Sequence, residues 1–248
     1  MTKFWPLGST LFKKKSNSVH LIVGLQLIAV VITVIMALWK QQYDSTILLG
    51  SLLGYGFFGG MILFILLARH TEQVWTNNFY RLLPTTDLQL YVANLVSTLL
   101  GYVYFIVIEA ILSGLALLTV PNVSIPSDSY RYAGSGMLAF FALVLYGWVF
   151  ISLVHLIGRT ISSWLPEMRS KFVYFLFYVI VGVILIRILN TVGDLLGKLI
   201  APLVTGQLDP DVLPGTLAFS GALAVIILIF SAINIYLLKY RVETKQTA

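Results

Sequence analysis

The chain lacks cysteine altogether, and only 10% of its 248 residues are charged. Without cysteine there are no disulfides, thiolate metal sites or cysteine nucleophiles. Three histidines, His20, His70 and His155, lie too far apart to supply a pair of zinc ligands at i, i+4 spacing. No GxxxxGK[ST] phosphate loop occurs, and no loop between apolar runs exceeds about thirty residues, which leaves no room for a nucleotide-binding or catalytic domain outside them. The tripeptide Gly134-Ser135-Gly136 has no histidine partner at a recognisable spacing and reads as a turn at a helix entry rather than as a nucleophile. Catalytic and metal sites are therefore both expected to be none.

What fills the chain is apolar. Hydrophobic residues make up 58% of it and the mean hydropathy is +0.92, whereas a soluble domain carries about 45–50% apolar and about 25% charged residues. One globular core cannot hide that much apolar surface, so lipid is the second solvent. The net charge of +6 is then a matter of membrane orientation, and no nucleic acid partner is expected.

Six runs are long and apolar enough to cross a hydrocarbon layer of about 30 Å as helices: residues 19–38, 47–68, 90–120, 136–157, 172–189 and 216–238. Their continuous apolar character favours helices over the period-two alternation of a barrel. The predicted fold is an all-α polytopic membrane protein, one transmembrane domain over 1–248. The first run follows Lys13-Lys14-Lys15 but has no small-x-small cleavage site before Trp39-Lys40, so it reads as a permanent helix and not as a signal peptide. Alternate loops divide the basic residues twelve to three. Lys3, Lys13, Lys14, Lys15, Arg69, Arg81, Arg159, Arg169, Lys171, Lys239, Arg241 and Lys245 fall on one side; Lys40, Arg131 and Lys198 fall on the other. The positive-inside rule puts the first set, with both termini, in the cytoplasm.

Three segments lie between or before the runs. Residues 1–18 place Phe4, Leu7, Leu11 and Phe12 on one helical face beside Trp5, the pattern of an amphipathic elbow lying in the membrane surface. Residues 190–215 carry Val192, Leu195, Leu196, Leu199 and Leu203 on one face and Asn190, Asp194 and Lys198 on the other, then Pro202, Pro210 and Pro214, which predicts a short outer-surface amphipathic helix or a re-entrant dip. Residues 69–89 mix polar groups with Trp75, Phe79, Tyr80, Leu82 and Leu83. Thr71, Gln73 and Val74 offer a helix start and Pro84 an end, so a short helix parallel to the membrane is expected.

The pattern Glu72-x-x-Trp75-x-Asn77-Asn78-x-Tyr80-Arg81-Leu82-Leu83-Pro84 resembles the coupling-helix region of ABC-2 exporter permeases, in particular the small Gram-positive group related to lantibiotic-immunity and peptide-export systems. Elbow, six spans, both ends inside and a surface helix before the last span extend the resemblance over the whole chain. It implies a transport subunit without a cofactor of its own: ATP and Mg would be held by a separate ABC ATPase subunit, and a second permease copy or a paralogue would complete the route. The resemblance also implies ATPase docking through Glu72, Gln73, Trp75, Asn77, Tyr80 and Arg81. The cargo would be an amphipathic peptide, drug or lipid-like molecule moved across a bacterial plasma membrane. Taken only as residues, the same aromatics fit anchoring at the lipid interface. A stand-alone immunity protein that captures an antimicrobial peptide without ATP-driven turnover is the alternative function, distinguished by its independence from any ATPase.

Two charges fall inside runs. Glu109 and Arg187 sit at depths differing by about 6 Å at 1.5 Å per residue. An intramembrane charge costs at least about 2.5–3.5 kcal/mol on insertion scales and calls for a partner, water or a cavity. Tyr102, Phe105, Glu109 and Ser113 share one helical face. Two readings stand: a pathway wall that contacts cargo, or a structural Glu109–Arg187 pair with aromatic packing. Gly50-x-x-x-Gly54 and Gly56-x-x-x-Gly60 permit close helix approach.

Overall fold

The computed structural model describes residues 4–76, 80, 82, 84–121, 129–162, 212–240 and eight positions between 176 and 190. Its described elements are five helices: α1 (Phe4–Trp39), α2 (Ser45–Thr76), α3 (Asp87–Leu117), α4 (Ser129–Ser162) and α5 (Val212–Tyr240). All five are long and apolar enough to cross a membrane. In the most apolar window of each, between 22% and 39% of residues are buried. The rest of that apolar surface faces outward, which is stable against lipid and not against water. The protein is thus a multi-pass, all-helical membrane protein. The expected run 172–189 and the amphipathic segment 190–215 fall largely outside the described residues; within the former, Leu176, Val179, Ile180, Gly182, Val183, Ile186 and Arg187 are helical.

The chain divides into two compact units, one within Met1–Ile125 and one within Pro126–Thr244. In the first, α1, α2 and α3 pack against one another. The buried residues of α1 are Leu7, Leu11, Lys15, Val19, Ile22, Gln26 and Val30, steps of four and three that draw one stripe along the whole helix. That stripe corrects the expected elbow. Residues 4–18 are the first four turns of α1 rather than a separate surface helix, because nothing at Ser16-Asn17-Ser18 breaks the ladder and Leu7 and Leu11 are buried in line with Val19 and Ile22. At 36 residues, α1 is about 54 Å long, well beyond a hydrocarbon core of about 30 Å.

A tight turn reverses α1 into α2. Gln42 N donates to Ala37 O at 3.0 Å and Gln41 N to Leu38 O at 3.1 Å, with Gln41 at φ 52°; this is a Schellman closure with glutamine in the left-handed position usually given to glycine. Asp44 then accepts from the Thr46 and Ser45 hydroxyls at 2.8 and 3.3 Å, and the Thr46 bond first of all holds its carboxyl below the usual carboxylate range. The far end of α2 runs to Thr76, so Thr71 lies inside this helix and does not start a new one. α3 opens with a capping box: Gln89 N donates to Thr86 Oγ1 at 3.2 Å and Thr86 N to Gln89 Oε1 at 3.4 Å.

In the second unit α4 packs on α5. Trp148, Val149, Leu153 and Leu156 are buried on α4, and Leu223, Ile227 and Leu238 on α5. The fully buried Asn234 donates Nδ2 to Val149 O at 3.1 Å, using the second lone pair of a helical carbonyl. Gly134-Ser135-Gly136 lies within α4, in helix and not in the turn expected.

Candidate functional site

Two polar sites interrupt the apolar packing of the first unit. The first lies where the N-terminal turns of α1 meet the end of α2 and the start of α3. Lys15 is 1% exposed. Its Nζ donates to Asn94 O at 2.8 Å, Asn94 Oδ1 at 2.7 Å, Ser97 Oγ at 2.8 Å and Thr98 Oγ1 at 2.6 Å. Positions 94, 97 and 98 fall one turn apart on one face of α3, so three side chains and one carbonyl converge on a single ammonium. An ammonium has three hydrogens for four acceptors, so one is shared. The cage extends to α2: Asn94 Nδ2 donates to Thr71 O at 3.0 Å, and the Thr71 and Thr98 hydroxyls lie 2.8 Å apart. A buried lysine amine is thereby held by neutral oxygens, tying three helices at one level.

Beside this knot the Trp75 ring is fully buried and stacked on Tyr91, centroids 5.2 Å apart and planes at 12°. Its indole Nε1 has no hydrogen-bond partner among the described residues. Of the residues expected to dock an ATPase, Gln73 is exposed, Glu72 is half-buried and Trp75 faces inward. Tyr80 lies under Lys14, whose Nζ is 3.4 Å from the hydroxyl and 5.7 Å from the ring centre. Asn77 and Arg81 lie outside the described residues.

The second site lies farther along the same bundle. Gln26 is 4% exposed, and its Nε2 donates to Glu109 Oε2 at 2.9 Å and to Leu52 O at 3.3 Å. Glycines make the room. A Cβ on Gly56 would fall 2.5 Å from Glu109 Oε2 and 3.3 Å from Gln26 Nε2, and one on Gly59 would fall 3.1 Å from Ile22 Cγ2. At Gly60 the Tyr102 hydroxyl and the Phe105 ring would each be met at 3.4 Å. Tyr102 and Phe105 are buried, and the Tyr102 hydroxyl reaches Gly60 O at 3.5 Å. Gly50 and Gly54 face open space instead. The face Tyr102, Phe105, Glu109, Ser113 thus packs its aromatic end against the α2 glycines, with Glu109 and Ser113 half-buried. Arg187 belongs to the second unit and is exposed.

Gln26, Asn94, Ser97 and Thr98 were not singled out from the sequence, and Lys15 and Thr71 were read there only as a flanking charge and a helix start. The signal was present for α3, where Asn94, Ser97 and Thr98 form a one-faced polar interruption of an apolar run. Lys15 was masked by two neighbouring lysines that are exposed. No family model, curated protein or solved structure matches the chain.

Proposed function

We propose that the chain is the membrane-spanning subunit of an ATP-driven exporter of the ABC-2 permease type, with ATP and Mg held by a separate ATPase subunit and a second permease copy or paralogue lining the route. In this reading six helices cross a bacterial plasma membrane with both termini cytoplasmic, 172–189 supplying the sixth. The cargo is an amphipathic peptide, drug or lipid-like molecule.

The observation that supports it best is the bracket at the α2–α3 junction. The connecting segment springs from two long helices joined by the Trp75–Tyr91 stack and by the Lys15 cage. A push on such a segment is passed to α1, α2 and α3 together as a rigid-body displacement; a loop on loose helix ends would absorb it. Gln73, Glu72 and Tyr80 are the described residues from which an ATPase would be contacted. Trp75 contributes by stiffening the bracket from within.

The test is purification of the tagged chain from its native membrane with mass spectrometry of the bound proteins, beside a Gln73→Ala/Tyr80→Ala variant. Recovery of an ATPase with the native chain and its loss from the folded variant is the expected result. Absence of any ATPase from the native preparation contradicts the reading and favours a stand-alone peptide-capturing protein.

A further inference from the structure

The Glu109–Gln26 contact is incomplete. Both amide hydrogens of Gln26 are used, one on Glu109 Oε2 and one on Leu52 O. Gln26 Oε1 and Glu109 Oε1 are both buried, and neither has a hydrogen-bond partner among the described residues. Two buried acceptors without a described donor, on side chains already joined by a hydrogen bond, form a costly arrangement. Turning the amide over would set its oxygen against Glu109 Oε2 and Leu52 O, two further acceptors, and so repairs nothing.

The missing piece is small. On the α2 side of Oε2 the space is closed, since even a methyl carbon on Gly56 would overlap that oxygen. No described lysine, arginine or histidine is bonded to Glu109. On the elements packed around it, the Tyr55 hydroxyl of α2 is 2.9 Å from that of Thr33, and the Tyr102 hydroxyl of its own helix is bonded to Gly60 O, so the described bond of each lies away from the carboxyl. A proton needs no volume. A carboxylic acid and a primary amide can close a ring of two hydrogen bonds, N–H to carboxyl oxygen and O–H to amide oxygen. The first is in place at 2.9 Å. A hydrogen on Glu109 Oε1 would supply the second and satisfy both oxygens at once.

We propose that Glu109 and Gln26 form a proton-binding site inside the first unit, with the proton carried on Glu109 Oε1 and donated to Gln26 Oε1. The site is neutral while α1 and α3 are in contact. Separating those helices opens the ring, exposes a carboxyl group and lets the proton leave, so that helix movement and proton exchange are linked. This assignment stands independently of the exporter reading, because it rests on a contact within this chain alone.

Infrared spectra of the purified full chain in lipid vesicles, at neutral pH in deuterated water, test it. The chain has four glutamates, Glu72, Glu109, Glu167 and Glu243, so carbon-13 labelling of glutamate isolates their bands without any substitution. The expected result is a protonated-carboxyl band in the native chain that is lost in Glu109→Gln. Only ionised-carboxylate bands in the native chain would overturn the proposal, as would a protonated band that survives Glu109→Gln. Thermal unfolding gives a second readout. Glutamine at position 109 can donate to Gln26 Oε1 as the acid does, so the melting temperature of Glu109→Gln should equal or exceed the native value, while Glu109→Ala lowers it. Failure of Glu109→Gln to fold, or a clear drop in its melting temperature, contradicts a protonated Glu109.

Discussion

The two polar sites of the first unit treat their charged residues in opposite ways. Lys15, the last of three consecutive lysines, is sealed inside the bundle with four oxygen acceptors around its ammonium. Glu109, a lone acidic residue in an apolar run, is only half-buried and receives one described hydrogen bond. A fully enclosed cation is tolerable when neutral oxygens replace its water and each of those is itself anchored. A partly enclosed carboxyl with a single donor is incomplete, and incompleteness is where exchange with something external is expected. The first site has the build of a brace and the second that of a place where change occurs.

That contrast can be broken most forcefully at Asn94. Asn94→Leu removes the Oδ1 acceptor of Lys15 and the donor to Thr71 O while leaving the ammonium buried, and should cost about 3–5 kcal/mol, read from denaturant unfolding in detergent. Lys15→Met takes away the charge together with its need for acceptors, and should cost less, about 1–3 kcal/mol. If Lys15→Met proves the more damaging of the two, the ammonium is not being held by this cage in the way described.

The glycines sharpen the second half of the comparison. Gly56→Ala forces a carbon against the Glu109 carboxyl and should cost about 1–3 kcal/mol. Gly50→Ala and Gly54→Ala point into open space and should be neutral or stabilising by up to about 1 kcal/mol through helix propensity. Equal effects at Gly54 and Gly56 would mean that the Glu109–Gln26 contact is not tightly packed. At the other site Trp75→Phe keeps a ring against Tyr91 and discards an N–H that has no acceptor among the described residues, but leaves part of a fully buried volume empty, so it should cost about 1–3 kcal/mol in thermal unfolding. Outside both sites, Gln41→Gly relieves a left-handed backbone and should stabilise by about 0.5–1 kcal/mol, a control for the sensitivity of the unfolding assay.

The spans were legible because the bilayer reads composition. Runs 19–38, 47–68, 90–120, 136–157 and 216–238 each fall on a helix, with the start of the first displaced by fifteen residues and the other ends by eight or fewer. The ends were less legible, since a polar residue at a helix terminus suits water, headgroups or a buried cage equally well. Phe4, Leu7, Leu11 and Phe12 gave a correct helical face but no way to tell a surface elbow from the start of a longer helix; the deciding contacts come from α2 and α3. Lys15 was legible only as one of three basic residues flanking an apolar run; its burial depends on Asn94, Ser97 and Thr98, some eighty positions away. The two GxxxG patterns look alike in sequence and differ only in what faces them. Glu109 was visible as a charge out of place; Gln26, its partner, was one amide among apolar residues and gave little notice.

The central functional claim, that the α2–α3 junction receives force from a separate ATPase, is most directly tested by crosslinking in the native membrane. The absence of cysteine allows Gln73→Cys to carry a single photoreactive label at an exposed position, with Trp5→Cys on α1 as the comparison site. The account predicts that the label at position 73 forms an adduct with an ATP-hydrolysing protein and that the label at position 5 does not. Adducts from position 73 only with lipid or with copies of this chain would contradict it.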